Sequence, residues 1–130
     1  MSHFTQVKTK LRDRTILKKA LTQMGFTVVE GEDGQQVRGY FGDTQPAEFK
    51  VLTTSHYDIG FTQDAEGSYS LVGDWELMPR VSGIEQNQFL IDVKREYAKQ
   101  AILHTAALQG YEVEMQESEE GTIEMVVVQR

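Results

Sequence analysis

The sequence contains no cysteine, and this single absence removes several kinds of chemistry. Without thiols the chain can form no disulfide bond, no thiolate metal site and no cysteine nucleophile, which fits a reducing compartment such as the cytosol. No segment approaches the roughly 20 apolar residues of a membrane-spanning helix, and no signal peptide is recognisable. We therefore expect a cytoplasmic protein that starts at or near Met1 and does not insert into a membrane, with peripheral membrane contact left open.

The motifs that identify common enzymes and metal proteins are also missing. The chain has no glycine-rich phosphate loop followed by lysine and serine or threonine, no dinucleotide fingerprint, and no histidine pair at helical or zinc-finger spacing. Its three histidines, His3, His56 and His104, are each separated by about fifty residues. A shared metal site would need a tertiary convergence that this spacing does not indicate. The sequence therefore predicts no cofactor and no metal ion.

Charge is present but unevenly distributed along the chain. The net charge is −7, yet residues 1–24 carry six basic side chains and one acidic one, whereas residues 25–130 carry seven basic and nineteen acidic side chains. An acidic protein lacks the basic footprint needed to bind nucleic acid. The two oppositely charged regions are either solvated surface or docking surfaces for a protein partner. The candidate docking residues are Lys18 and Lys19 in the basic region and Glu119 and Glu120 in the acidic one.

The acidic side chains are densest near the C-terminus. Six glutamates occur there with no basic residue between them: Glu112, Glu114, Glu117, Glu119, Glu120 and Glu124. Glu112 and Glu114 are expected on the outward face of a strand, opposite the face that carries Tyr111, Val113 and Met115. The six glutamates either protect an edge strand from aggregation or attract a basic partner, and the salt dependence of binding distinguishes these interpretations.

Two segments show the apolar period of a helix. The longer one lies between Gly83 and Gly110, and the shorter one follows Asp13, a good N-cap, and ends at Gly25. The apolar stripe of the longer helix is Leu90, Val93, Tyr97, Ala101, His104 and Leu108. The stripe of the shorter helix is Ile16, Leu17, Ala20, Leu21 and Met24. Each helix is therefore expected to bury one face against a core.

The remaining segments have the alternation or β-branched composition of strands. The predicted strands are residues 5–11, 26–30, 36–41, 48–54, 57–61, 69–72, 111–115 and 122–128. Residues 31–34 and 117–121 are predicted as the turns of two hairpins, and the central strands as an antiparallel meander. We predict a single α+β domain, residues 1–130, in which a short N-terminal and a long C-terminal helix pack on one face of an antiparallel sheet.

A weak internal echo links the two halves of the chain. The matching positions are Leu21, Gly25, Phe26, Val28 and Gly34 in the first half and Ala106, Gly110, Tyr111, Val113 and Gly121 in the second. Both halves are predicted to contain a helix, a glycine cap, a strand, an acidic turn and a strand. This pattern indicates either a pseudo-duplicated helix-plus-hairpin unit or the convergence of glycine caps and polar turns on the same chemistry.

A few residues could form a ligand-binding or catalytic site. His56 and Asp58 on one side and Asp74 and Trp75 on the other bracket the predicted meander. A carboxylate beside a histidine can act as a general base, and an indole ring can stack on a ligand, but these residues are equally typical of strand ends, turns and core. His104 lies within the apolar stripe of the long helix. It is either a base or ligand or, as we favour, a buried residue bonded to a backbone carbonyl.

Several sequence blocks, in order along nearly the whole chain, resemble one family. The blocks are Met1-Ser2-His3-Phe4-Thr5, Val37-Arg38-Gly39-Tyr40, Tyr57-Asp58-Ile59-Gly60-Phe61, Asp74-Trp75 and Gln109-Gly110-Tyr111. The family resembled is an uncharacterised one, encoded in cyanobacteria and algal plastid genomes as a conserved hypothetical reading frame. The resemblance implies a cyanobacterial cytosol or plastid stroma and an accessory or assembly role for the photosynthetic apparatus. It implies no catalytic residue, and Glu76 departs from the aromatic residue expected there.

Two classes of function remain. The first is a non-enzymatic protein-binding module, docking a partner on its basic N-terminal face or acidic C-terminal hairpin, which accounts for the charge distribution and the missing motifs together. The second is a small enzyme or ligand-binding protein that uses His56, Asp58, Asp74 or His104. A pocket holding two of these side chains within hydrogen-bond reach would favour the second class, and scattered or exposed positions favour the first. We favour the binding module.

Overall fold

The computed structural model describes residues 4–129, apart from the side chains of Ile123 and Gln129, so that His3 and the residues before it lie outside the described range. The strands are β1 (Thr5–Lys8), β2 (Thr27–Arg38), β3 (Thr44–Leu52), β4 (Asp58–Gln63), β5 (Tyr69–Gly73), β6 (Tyr111–Glu117) and β7 (Ile123–Gln129). The helices are α1 (Arg14–Gln23), α2 (Met78–Ser82) and α3 (Gln86–Leu108). None of these helices is long and apolar enough to cross a lipid bilayer. The chain forms two compact units that divide between Tyr97 and Ala98.

The first unit is built on a five-stranded antiparallel sheet. Its strand order is β1-β5-β4-β3-β2, and each pair of neighbours is antiparallel. Strands β3, β4 and β5 form the predicted meander, in which Phe61 lies opposite Phe49 on one side and Leu71 on the other. The α+β fold class predicted from the succession of strands and helices is confirmed.

Helix α1 begins and ends at the residues that the sequence predicts. The carboxylate of Asp13 accepts a hydrogen bond from the Ile16 N–H at 3.0 Å, which satisfies one of the amides left free in the first turn. At the other end Gly25 adopts a φ of 93°, a conformation that glycine takes without steric cost.

Both predicted helices contribute to the core on one face of this sheet. Leu17 and Leu21 of α1 and Phe89 and Val93 of α3 belong to the same apolar cluster. The cluster residues from the sheet are Phe49, Val51, Ile59, Phe61, Tyr69 and Leu71. Helix α2, which the sequence did not predict, adds Met78 to this core. Complete burial of one leucine side chain stabilises a fold by about 1.5 to 3 kcal/mol, so this face supplies much of the driving force for folding.

Strand β2 differs from the prediction. The hairpin predicted with its turn at residues 31–34 is wrong, because β2 runs through these residues and pairs with β3 on both sides of them. The pairing register shifts between Glu30 and Gln35, so the segment is an irregularity within a strand rather than a turn. The internal echo therefore does not extend past the first strand, since the strand after α1 turns back at residues 39–43, between β2 and β3, and not at the acidic residues 31–34.

Beyond this irregularity, the ends of β2 and β3 pack on the second face of the sheet, opposite the helices. We call residues 35–47 the tip hairpin. Val37 is fully buried there, and a Cβ atom on Gly60 of β4 would overlap the Val37 side chain and lie 2.9 Å from the Cβ of Ala47. Glycine at position 60 thus allows the tip hairpin to lie directly on β4. Pro46, predicted to precede β3, is part of that strand, opposite Gln36.

The second unit contains the end of α3 and a separate two-stranded sheet of β6 and β7. Gly110, with a φ of 74°, follows the helix and leads into β6, and the predicted C-terminal hairpin is confirmed. The prediction that His104 is buried is wrong, because its side chain is exposed, and Leu108 is 76% exposed. Ala106 is buried instead. The helical period identifies residues that share a face, but it does not show whether anything packs on them.

Candidate functional site

Asp58 is the buried centre of an ion cluster with Lys50, which is 12% exposed, and Arg38, which is 42% exposed. Its side chain is 0% exposed, and its carboxylate accepts four hydrogen bonds from the described residues. Oδ2 accepts from the backbone N–H and Nε of Arg38, each at 2.9 Å, and from Nζ of Lys50 at 3.0 Å, while Oδ1 accepts from Nη2 of Arg38 at 2.8 Å. Because Arg38 belongs to the tip hairpin, these bonds fasten the tip hairpin to Asp58 of β4.

The ion cluster predicts a pH dependence of stability. Burial by itself would raise the pKa of Asp58, but the hydrogen bonds from Arg38 and Lys50 hold the pKa below its ordinary value of 3.8. A lowered pKa in the folded state means that the ionised carboxylate stabilises the fold above the unfolded-state pKa and that this contribution is lost as the pH falls through the folded-state pKa. Urea unfolding from pH 7 down to about pH 2 measures it. We expect the stability difference between the native protein and Asp58→Asn to shrink below about pH 4, and a constant difference would contradict the assignment.

Asp74 holds another part of the tip hairpin. It is fully buried, and its Oδ2 accepts a hydrogen bond from the Tyr40 N–H at 3.3 Å. Its Oδ1 and the indole nitrogen of the neighbouring Trp75 have no hydrogen-bond partner among the described residues. Burial raises the pKa of the nearby Tyr57 phenol, and the charges of Asp74 and Tyr40 raise it further. Like Asp58, Asp74 is therefore an anchor for the tip hairpin.

The two carboxylates do not meet a histidine in a pocket. Val72 of β5 lies opposite Gly60 of the antiparallel strand β4. Asp58 comes two residues before Gly60 and Asp74 two residues after Val72, so both carboxylates lie at the same end of the second face. His56 is exposed in the connection between β3 and β4. A groove of about 500 Å³ on the second face is lined by Phe4, Thr5, Gln6, Gln45, Pro46, Thr62 and Val72. No ionisable side chain and none of the candidate residues is among the residues that line this groove, so this groove offers no acid–base pair to a ligand.

Within residues 4–129, no three histidine, aspartate or glutamate side chains are arranged to hold a metal ion. Of the candidate ligand-site residues, Trp75 is buried at 7% exposure in the core, and His104 is exposed on the second half of α3.

One face of the β6–β7 hairpin is apolar. The register pairs Val113 with Val127 and Met115 with Met125, so these side chains and Tyr111 share a face. Within the second unit, this apolar face borders a groove of about 440 Å³ lined by Ala101, Ile102, Thr105, Ala106, Gln109, Tyr111 and Val127. Tyr111 and Val127 thus line this groove together with the end of α3, while Met115 and Val127 stay 42% and 49% exposed.

The opposite face of the hairpin, which we call the acidic face, mixes carboxylates with exposed valines. It consists of Glu112, Glu114, Gln116, Glu124, Val126 and Val128. Glu112 lies opposite Val128 and Glu114 opposite Val126, which confirms the predicted outward position of these two glutamates. Val126 and Val128 remain 54% and 39% exposed. Carboxylates next to exposed aliphatic side chains can attract a basic partner and also bury apolar surface against it.

The candidate docking residues lie in two different settings. Glu119 and Glu120 are exposed in the turn between β6 and β7. Lys19 is exposed on α1, but Lys18 Nζ lies 3.0 Å from Glu30 Oε1. The basic N-terminal region is therefore partly neutralised by acidic residues of the same unit. The sequence of the hairpin contains no basic residue between Tyr111 and Gln129.

The sequence alone did not predict the partners of Asp58 or the exposed valines of β7. Arg38 and Lys50 lie 20 and 8 residues from Asp58 along the chain, and no local pattern pairs them with it. The consecutive valines 126–128 do carry a signal, because an apolar run without a basic or proline residue is unusual in an exposed edge strand.

Comparison with known proteins identifies a family and relatives. Residues 20–126 match the family model described as a protein of unknown function, DUF1257. The chain is 32% identical over 129 residues to the uncharacterized protein ycf35 of Cyanophora paradoxa, covering 98% of this chain and 96% of the relative. It is 28% identical over 128 residues to ycf35 of Pyropia yezoensis, with 98% and 96% covered, and 30% identical over 111 residues to ycf35 of Guillardia theta, with 85% and 83% covered. No solved structure matches the chain.

These relatives come from the plastid genomes of algae, and they confirm the resemblance seen in the sequence blocks. The family match includes the blocks around Arg38, Asp58 and Asp74, which are the residues that fasten the tip hairpin. The chain therefore belongs to the DUF1257 family of proteins of unknown function.

Proposed function

We propose that this protein is a non-enzymatic binding module that docks a basic segment of another protein on the acidic face of the β6–β7 hairpin. We further propose that it works in a plastid stroma or cyanobacterial cytosol, assisting the assembly or regulation of the photosynthetic apparatus. The observation that carries the proposal is the alternation of glutamates and exposed valines on the acidic face. The algal plastid origin of the relatives supports the photosynthetic setting.

The composition of the acidic face suits recognition of a basic segment. Glu114 and Glu124 flank the exposed side chain of Val126, and Glu119 and Glu120 extend the negative charge into the turn. Long-range attraction to such a surface raises the association rate of a positively charged partner, while burial of the valines supplies affinity that does not depend on charge. A basic segment with aliphatic side chains satisfies both requirements.

The candidate catalytic residues lie in positions that do not favour catalysis. Asp58 is buried and bonded to Arg38 and Lys50, and Asp74 is buried and bonded to the backbone N–H of Tyr40 in the tip hairpin. His56 lies on an exposed connection. Positions that are buried as anchors or exposed singly support a binding module rather than a catalytic site.

Charge reversal in the turn tests the proposal. We expect the double variant Glu119→Lys/Glu120→Lys to retain about tenfold less of its partner than the native protein, because two attractive contacts become repulsive. The measurement is affinity capture of the tagged protein from a cyanobacterial lysate at low and moderate salt, with quantitative mass spectrometry. Higher salt should release the same partner, since surface charge interactions are screened.

Lys19→Glu is the matched control, because it reverses one exposed charge on α1. It is expected to retain the partner at the native level. If Lys19→Glu loses the partner and the double variant keeps it, docking occurs on the basic region and the acidic face is not the binding surface.

A further inference from the structure

We infer that the basic segment binds as a third strand, hydrogen-bonded to the open edge of β7, an inference that rests on the proposed function. In the described residues the second sheet contains two strands, so β6 and β7 each have one hydrogen-bonded neighbour. Each strand therefore presents one row of backbone groups to whatever lies beside it. Adding a strand to such an edge is a common way of recognising an extended peptide.

The sequences of the two edges favour β7 over β6. β6 carries Glu112, Glu114 and Glu117, and charged residues of this kind protect an edge strand against pairing. β7 carries one charged residue, Glu124, followed by the apolar run 125–128. High β-propensity and the absence of lysine and proline make β7 the edge that accepts another strand.

The turn shows which backbone groups of β7 point outward. The Ser118 N–H donates to the Thr122 carbonyl oxygen at 2.9 Å, so this pair is of the hydrogen-bonded type. In an antiparallel pair the bonded and non-bonded types alternate, which makes Glu114 opposite Val126 a bonded pair and Val113 opposite Val127 a non-bonded pair. The N–H and C=O groups of Met125 and Val127 therefore point away from β6 and toward an added strand.

The side chains beside this edge determine what the added strand should carry. On the apolar face its neighbours are Met125 and Val127, next to the 440 Å³ groove, which suits aliphatic residues. On the acidic face its neighbours are Glu124, Val126 and Val128, which suit lysine or arginine side chains with their aliphatic stems. Because strand side chains alternate between faces, the preferred segment alternates aliphatic and basic residues.

A proline substitution on each edge tests this mode of binding. Val127→Pro removes an outward N–H from β7, and Val113→Pro, directly opposite on the same face, removes the equivalent group from β6. The probes are two labelled peptides of about nine residues, one alternating lysine and valine and one alternating lysine and proline, which has the same charge but cannot form a strand ladder. Fluorescence anisotropy gives the dissociation constants.

We expect the native protein and Val113→Pro to bind the lysine–valine peptide at least about tenfold more tightly than the lysine–proline peptide, and Val127→Pro to lose this preference. Hydrogen exchange provides a second test without any substitution. The amides of Met125 and Val127 should become protected in the native protein when the lysine–valine peptide binds. Unchanged exchange at both amides would overturn the inference, even if Val127→Pro disturbs the hairpin.

The remaining outcomes separate this inference from the proposed function. Equal binding of both peptides by the native protein, weakened by Glu119→Lys/Glu120→Lys, would leave the acidic face as a charge-guided docking surface and overturn strand addition. Binding of neither peptide would overturn both. A native dimer that Val127→Pro converts to a monomer in light scattering would show that a second copy of the chain occupies the edge, which also overturns a basic segment as its occupant.

Discussion

Replacing Asp58 with alanine is expected to lower the free energy of unfolding at pH 7 by about 3 kcal/mol. The substitution removes the acceptor of four hydrogen bonds and leaves Lys50, whose side chain is 12% exposed, without its carboxylate partner. Breaking a buried ion pair from one side is costly, because the remaining charge stays partly desolvated. Urea unfolding followed by circular dichroism gives the difference in stability.

Asp33→Ala is the control for this substitution. Asp33 is exposed in the irregular part of β2, so its removal should change the free energy of unfolding by less than about 0.5 kcal/mol. Hydrogen exchange adds a local readout, since the Arg38 N–H loses its acceptor in Asp58→Ala and should exchange faster. A loss of less than about 1 kcal/mol in Asp58→Ala would show that the cluster does not hold the tip hairpin.

Gly60→Ala is the second substitution expected to have a large effect, a loss of about 2 kcal/mol or more. The added methyl group would overlap the fully buried side chain of Val37 and lie 2.9 Å from the Cβ of Ala47. The tip hairpin must then move away from β4 or strain its side chains. Chemical unfolding measures the loss, and the double variant with Val37→Ala should regain part of it, because the smaller side chain makes room for the methyl group.

Gly31→Ala separates this steric effect from the general cost of replacing a glycine. The nearest atom to a Cβ at position 31 is the flexible side-chain amide of Gln35 at 3.4 Å, and the change should be nearly neutral. Strictly additive effects of Gly60→Ala and Val37→Ala would contradict direct packing between these two residues.

The elements predicted well from the sequence are those fixed by local chemistry. The cap at Asp13, the glycine at the end of α1 and the alternation in β6 depend on residues within a few positions of each other. The two-faced C-terminal hairpin follows from the same rules. These signals sufficed for the α+β fold class and for the outward position of the glutamates.

The elements predicted wrongly depend on contacts between distant residues. Residues 31–34 have the composition of a turn, but β2 continues because Val37 is buried against Gly60 on another strand. His104 shares a helical face with apolar residues, but its side chain is exposed. The apolar period of a sequence predicts which side chains share a face, but it does not predict which residues pack against that face.

The candidate site was predicted only in part for the same reason. Asp58 and Asp74 were predicted as candidate residues of a ligand-binding or catalytic site, and both are fully buried on the second face of the sheet. Their partners, Arg38 and the backbone N–H of Tyr40, belong to a hairpin whose position depends on a strand register that the sequence does not reveal. These hydrogen bonds indicate that Asp58 and Asp74 anchor the tip hairpin to the sheet.

Hydrogen exchange of the protein with and without its captured partner tests the central claim most directly. The account predicts that protection on binding is concentrated in residues 111–129, and most of all in β7. Protection confined to the second face of the sheet, at the tip hairpin and around Asp58 and Asp74, with none in the β6–β7 hairpin, would contradict it. That result would indicate a binding site on the groove beside Phe4 and Val72 instead.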